Sequence, residues 1–346
     1  MKYLKPKRLI KGDTVAIVSP SWGGPSCFPH IYDSGIETLK KFGLKIKEFP
    51  TAKADANLLY NNPKMRADDI NNAFKDPDVK GIFTTIGGDD SIRILQYLKP
   101  EWIKNNPKIF LGYSDTTTLT TYCNQLGLVT FNGLSIMAGF SQWNNLPKEF
   151  QDHVRTILFN PLRSIQFSAY SHYSNGYPDW TKIENTGKIN ELQITDGWKW
   201  LQGKSTVEGH LFGGCIEVLE FMKGTKYWPK NSFWKGKILF LETSENKPKT
   251  EQVKWMLRNY GIQGIFQKIN GLLIGRARDY DAIENAELYE TIVNIVAQEF
   301  NEPEMPIIAN MDFGHTDPQY IMPLGILAEI NCAKQEFKLL ESSSQY

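Results

Sequence analysis

At 346 residues the chain is too long for a single small core and suits two domains or one large α/β unit. Its hydrophobic content of 41% and charged content of 22% are those of an ordinary soluble globular protein. A net charge of +1 lacks the basic bias expected of a nucleic-acid or membrane-surface partner. The four cysteines, Cys27, Cys123, Cys215 and Cys332, form no C-x-x-C pair, which argues against zinc ribbons and redox motifs and fits reduced thiols. The basic N-terminus, Met1 to Arg8, precedes no apolar h-region, and no run approaches the ~18 apolar residues of a membrane span, so a cytoplasmic location is expected.

From Thr14 onward strand-like and helix-like segments alternate. Val15 to Ser21 is a compact β-type run opening into a Gly-Gly-Pro loop, and a helical pattern follows from Ile31 to Phe42. Leu44–Phe49 reads as a strand, Pro63–Phe74 as a helix, and Val79–Ile86 as a strand ending in Gly87-Gly88. A short helix at Ser91–Leu98 precedes the apolar run from Ile109, which stops at Ser114 just ahead of another helical stretch. Such alternation predicts a parallel sheet wrapped by helices, with ligands at the carboxyl ends of its strands. Between about Asn144 and Gly203 the pattern breaks into a loop-rich connector carrying Trp180, Trp198 and Trp200. Regular elements then return: a helix over Gly213–Lys223, a strand over Gly236–Glu242 and a helix over Thr250–Tyr260. Ile269–Ile274 reads as a strand, Ala286–Phe300 as a helix, Pro306–Phe313 as a strand and Ile326–Leu340 as an antiparallel pair. The expected architecture is α/β in two lobes. A parallel-sheet, flavodoxin-like domain spans 1–145, a connector 146–205, and a mixed α/β domain 206–346.

A serine placed where a strand turns into a helix lifts its hydroxyl out of the sheet edge, beside free N–H groups of the helix start. Ser114 sits there. The simpler alternative is that Ser114 or Asp115 caps the helix. A serine nucleophile also needs a base and a group that orients the base. Of five histidines, His315 follows a strand in Phe313-Gly314-His315, again at a carboxyl edge, and is the best base. Glu242 closes the apolar run from Ile238 and is the preferred orienting carboxylate, with Asp115 and Asp312 as competitors. A carboxylate buried at a strand end needs a partner. Gly87-Gly88 and the Asp115 N–H supply donors for an oxyanion. No Walker lysine, G-x-G-x-x-G after the first strand, or H-E-x-x-H motif is present, so neither cofactor nor metal is expected.

In order and spacing, the motifs around Ser19, Gly87-Gly88-Asp89-Asp90-Ser91, Gly112-Tyr113-Ser114-Asp115, Gly213-Gly214, Leu239 to Glu245, Phe313-Gly314-His315 and Pro323-Leu324-Gly325 resemble those of the serine LD-carboxypeptidases. That group (peptidase family S66) includes muramoyltetrapeptide carboxypeptidases and microcin C immunity proteins. The resemblance implies a Ser114–Glu242–His315 triad, an oxyanion hole at Gly88 and Asp115, and a homodimer. Length and connector are closer to the microcin-immunity branch, which sets a tryptophan-bearing loop against a nucleobase. Trp198 and Trp200 are the expected substrate-binding residues, with connector packing as their alternative role. Where many members carry Asn after the Gly-Gly pair, this chain has Cys215, which weakens any transfer of substrate identity. The substrate is expected to be a short peptide or peptide-nucleotide. Muropeptide cleavage in cell-wall recycling is the alternative, and a non-catalytic peptide-binding module is the rival from another class.

Overall fold

The computed structural model describes residues 2–346. Five of the six strands of the N-terminal sheet come from the N-terminal half: β1 (Thr14–Val18), β2 (Lys45–Glu48), β3 (Val79–Thr84), β4 (Ile109–Gly112) and β5 (Thr130–Asn132). They lie in the order β5-β4-β3-β1-β2, every neighbouring pair parallel. This is the flavodoxin-like doubly wound order, whose ligand crevice lies at the carboxyl ends where the winding reverses, between β1 and β3. All four residues of β4 are buried, as are four of the five in β1. Strands covered on both faces read as unbroken apolar runs, which is why these two stand out in the sequence. The helices Pro29–Lys41 and Pro63–Lys75 both start with proline, which lacks the N–H that a first turn leaves unpaired anyway.

The second lobe is an eight-stranded mixed sheet. Its centre is four parallel strands, Thr206–Cys215, Lys237–Glu242, Gly271–Gly275 and Ile307–Met311. The terminal antiparallel pair, Leu327–Asn331 and Glu336–Leu339, extends one side of it. The expected helix from Gly213 starts instead at Ile216, because Gly213-Gly214-Cys215 complete the first central strand. The backbone there is too crowded for side chains: a Cβ on Gly213 would collide with the Phe240 carbonyl, and one on Gly214 would lie 2.5 Å from Thr117. The two glycines are therefore signs of close approach within a strand.

The two lobes also exchange strands across the boundaries expected from the sequence. Met322–Leu324 pairs antiparallel with β5, placing a C-terminal segment in the N-terminal sheet. Two pieces of the connector edge the C-terminal sheet: Ile165–Phe167 against Glu336–Leu339, and Lys199–Gln202 against Ile307–Met311. These strands are short and at most partly buried, so they lack the apolar alternation that would reveal them. One continuous hydrophobic core runs through both lobes, from Val15 and Phe110 to Phe240 and Ile308.

Candidate active site

Ser114 follows β4 with φ = +58°, a left-handed conformation that a residue with a side chain adopts only under constraint. It opens a single 3₁₀ turn, Ser114–Thr116, ahead of the helix Thr117–Gln125. Neither Ser114 nor Asp115 caps that helix through its side chain. Instead the buried Asp115 Oδ2 accepts the Ser91 N–H at 2.8 Å, while Ser91 Oγ donates to the Asp115 carbonyl at 2.7 Å. Burial pushes the Asp115 carboxyl up. The pairing fastens the Gly87–Ser91 loop to the turn that carries Ser114. Gly87 must be glycine here, since a Cβ would stand 2.7 Å from Ser114 Oγ and 3.3 Å from the Asp115 nitrogen. The same end of the loop is held again by Asp90, whose carboxylate takes both arms of the buried Arg66 at 2.6 and 2.8 Å. Burial opposes ionisation of Asp90, but the Arg66 and Arg93 guanidinium groups outweigh it and hold the carboxyl below its usual range.

Across the cleft, His315 Nδ1 lies 2.7 Å from Glu242 Oε2. Both side chains are buried. Two glycines make room for the carboxylate: a Cβ on Gly275 or on Gly314 would come within 2.8 Å of Glu242. Burial raises the Glu242 carboxyl, with the His315 imidazole acting against that rise. On its other side His315 Nε2 lies 3.0 Å from Glu245 Oε2. Burial disfavours the charged imidazole, yet Glu242 and Glu245 together outweigh it and bring its pKa to about 10. Reciprocally, the hydrogen bond to His315 holds the half-exposed Glu245 down to about 2.

Ser114, Gly88 and His315 line one cavity of about 200 Å³, together with Trp22, Tyr113, Tyr177, Trp180, Glu245 and Arg278. Glu242 stands behind His315 and Asp115 behind Ser114, each buried. Trp198 and Trp200 do not reach this cavity, contrary to the sequence-based expectation. Trp198 Nε1 donates to Asp312 Oδ2 at 2.7 Å, and Trp200 lies in the edge strand opposite Ile308, so both belong to the packing of the connector. Asp312, one of the competing carboxylates, is itself paired with the buried Arg276 at 2.5 Å. The connector tryptophan at the cavity is Trp180, whose ring meets Phe28 edge-on at 5.8 Å and tilts over Tyr177 at 5.2 Å. With Trp22 these rings form an aromatic wall. Tyr113 joins it by setting its ring 5.0 Å from that of His315. Glu245 and Tyr113 flank the residues singled out from the sequence and were within reach of that reading, whereas Arg278 and Trp22 carry no motif that marks them. Cys215 lies in register with Glu242, but its buried thiol, which burial pushes up, donates to Glu217 instead of facing the cavity.

Comparison with known proteins follows the same two-lobe division. A family model for the LD-carboxypeptidase N-terminal domain matches residues 15–133, and one for the LD-carboxypeptidase C-terminal domain matches residues 208–330. An MccF-like protein from Streptococcus pneumoniae, crystallised in complex with AMP, is 31% identical over 95% of this chain and 98% of its own, with a TM-score of 0.83. The microcin C7 self-immunity protein MccF of Escherichia coli is 26% identical, the match covering 96% of this chain and 94% of that protein. A probable murein peptide carboxypeptidase of Bacillus subtilis is 27% identical, with 96% of this chain and 92% of the relative covered.

Proposed function

Because the chain belongs to the peptidase S66 family of LD-carboxypeptidases and is therefore a carboxypeptidase, we propose that it is a serine enzyme working through Ser114, His315 and Glu242. The 2.7 Å contact between His315 Nδ1 and Glu242, beside a serine in a constrained backbone, carries this reading. Ser114 Oγ attacks the scissile carbonyl as His315 Nε2 takes its proton, and the same nitrogen then returns the proton to the leaving amine. Glu242 keeps the Nδ1–H oriented and balances the imidazolium charge. The N–H groups of Gly88 and Asp115 receive the tetrahedral oxyanion, and water releases the acyl group from Ser114. Nε2 must leave Glu245 to serve Ser114, so Glu245 competes with the nucleophile for the base.

The substrate is a short peptide or an aminoacyl group amide-linked to a nucleotide, as in the microcin-immunity relatives. The aromatic wall of Trp22 and Trp180 favours the nucleotide-tailed class, since flat rings at a cavity mouth stack on a base whatever its identity. A solved structure of MccF bound to aspartyl sulfamoyl adenosine, 25% identical to this chain with a TM-score of 0.86, supports the same class. A hydrolysis screen spanning muropeptides and aminoacyl-sulfamoyl adenylates tests the assignment, with Ser114→Ala as the blank. Release of the amino acid from the adenylates is expected. Cleavage of muropeptides alone would move the protein to cell-wall recycling, and no cleavage of either would leave a binding module.

A further inference from the structure

Apart from His315, the cavity at Ser114 presents one cation and one anion among the described residues, Arg278 and Glu245. The anion is already engaged at His315 Nε2. The cation is not. Arg278 follows the carboxyl end of the strand Gly271–Gly275, and its Nε donates to Asp279, its chain neighbour, at 3.2 Å. Among the described residues its two Nη groups have no acceptor. They lie against the connector at Gly176. Gly176, at φ = +60°, lies so close that a Cβ would collide with Nη2 and sit 3.0 Å from Cζ. Only 22% of the side chain is exposed. A guanidinium that is largely desolvated and still has both Nη groups open is a fork awaiting an anion, because its paired N–H groups match two oxygens at once.

We propose that Arg278 is the anion anchor of this cavity, binding the negative group that the substrate carries just beyond its scissile nitrogen. The inference rests on the carboxypeptidase reading and names what that reading leaves open. In a peptide the group is the terminal carboxylate, whose carbon is two bonds from the leaving nitrogen. In an aminoacyl nucleotide it is the phosphoramidate or sulfamate, bonded to that nitrogen directly. Both present two or more oxygens around one centre at nearly the same place, so one fork serves both. At about 200 Å³ the cavity is smaller than the roughly 300–1,000 Å³ typical of drug-sized ligands, and a group seated against Ser114 therefore meets Arg278. The anchor also explains why an enzyme with an unremarkable net charge would cleave at a chain end: an internal peptide bond has no anion to offer at that position.

The test compares a tetrapeptide free acid with the same peptide amidated at its C-terminus, and an aminoacyl-sulfamoyl adenosine with an uncharged aminoacyl amide. Wild-type protein, Arg278→Gln and Arg278→Lys are measured for kcat/KM on each. Binding of the same compounds is read by calorimetry in a Ser114→Ala background, where turnover plays no part. The expected result is a preference for the anionic member of at least one pair of roughly 10²–10³-fold, as for truncating one partner of a desolvated charge pair. That preference should collapse towards one in Arg278→Gln and be partly kept in Arg278→Lys, with melting temperatures confirming that both variants fold. Which pair responds identifies the anion. An unchanged preference in Arg278→Gln for both pairs, or none in the wild type, overturns the anchor while leaving hydrolysis intact. An Arg278-dependent binding preference in a protein that cleaves nothing upholds the anchor and overturns the hydrolase reading.

Discussion

The floor and the rim of the cavity are built on opposite plans. The floor comes from strand ends: Ser114 after β4, Gly87-Gly88 after β3, Glu242 at the end of its strand and His315 just past another. Each is fixed by backbone contacts so tight that Gly87, Gly275 and Gly314 have no room for a methyl group. The rim comes from loops. Trp180 and Tyr177 belong to the connector, Glu245 and Arg278 to turns after central strands, and Trp22, Glu245 and Trp180 are more exposed than Ser114, Glu242 and His315. Rigid strand ends suit chemistry, which tolerates errors well under an ångström, and adaptable loops suit recognition. The comparison makes a ranked forecast: floor substitutions destroy turnover on every substrate, and rim substitutions change which substrate or which pH is preferred.

Ser114→Ala carries the largest expected effect, a loss approaching the ~10⁶ in kcat seen when a triad serine is removed. The fold should persist, since the hydroxyl caps no helix. Glu242→Gln should cost about 10⁴ in kcat, because a neutral amide neither fixes the same tautomer nor balances the imidazolium. Steady-state rates on any cleaved substrate, with melting curves, check both. A folded Ser114→Ala protein retaining more than a few per cent of activity would remove that serine from the mechanism. Next comes Gly87→Ala. Its methyl would stand 2.7 Å from Ser114 Oγ, so either the serine or the glycine loop must shift. Displacing a reacting atom by about 1 Å costs on the order of 10² in rate, and overpacking costs about 1–3 kcal/mol of stability. Equal rates for Gly87→Ala and wild type would mean that the floor is softer than its contacts imply.

The same contrast explains what the sequence discloses. Strand ends announce themselves, because a buried parallel strand is a run such as Ile109-Phe110-Leu111 that stops abruptly, and whatever follows lies at the carboxyl edge. Ser114, Glu242 and His315 are all legible in that way, and the resemblance to a known family picks out the same three. The rim is not legible because its residues meet only through tertiary folding. Gly176 and Arg278 are 102 positions apart, yet they lie against each other. The resemblance to the microcin-immunity branch, with its tryptophan-bearing loop, points to Trp198 and Trp200 in Gly197-Trp198-Lys199-Trp200. Pairing of Lys199–Gln202 with the C-terminal sheet, which no local pattern foretells, turns that loop into an edge strand. The helix expected at Gly213-Gly214 failed for a related reason, since the glycines answer to Phe240 and Thr117 across the chain.

The tryptophans put this division to a direct test. Trp180→Ala should weaken nucleotide-tailed substrates by about 1–3 kcal/mol, the value of a lost base stack, which is roughly a tenfold to hundredfold fall in kcat/KM. A plain tetrapeptide, with no base, should be affected less. Trp198→Phe keeps the ring but loses the hydrogen bond to the buried Asp312. It should lower the melting temperature modestly, since Asp312 Oδ2 keeps the Tyr170 N–H and only one hydrogen bond, worth about 0.5–1.5 kcal/mol, is lost, and treat both substrates alike. If Trp198→Phe were the variant that discriminates between substrates, recognition would lie in the connector's edge strand and the rim would have been drawn in the wrong place.

The smallest expected effect is a displacement on the pH axis. With His315 as the proposed base, only its neutral form is active, so kcat/KM should rise with pH as the imidazole loses its proton. An isolated histidine would place that rise at roughly 6–7. Here burial works against the charged ring, but the carboxylates of Glu242 and Glu245 outweigh it and move the rise to higher pH. Of the other groups facing the ring, Tyr113 stays protonated because burial raises it, and burial likewise raises the Asp317 carboxyl. Glu245→Gln removes one of the two carboxylates and leaves Glu242 in place, so the acid limb of kcat/KM should move down in pH and the variant should outperform the wild type on that limb. A substrate that displaces Glu245 from Nε2 would already have relieved the competition in the bound state, and kcat, which reports that state, should then shift less than kcat/KM. Parallel profiles of the two constants for wild type and variant decide it. An acid limb that stays put in Glu245→Gln, or moves up, would mean that this carboxylate does not govern the proton on His315, and the rim would be left with recognition alone.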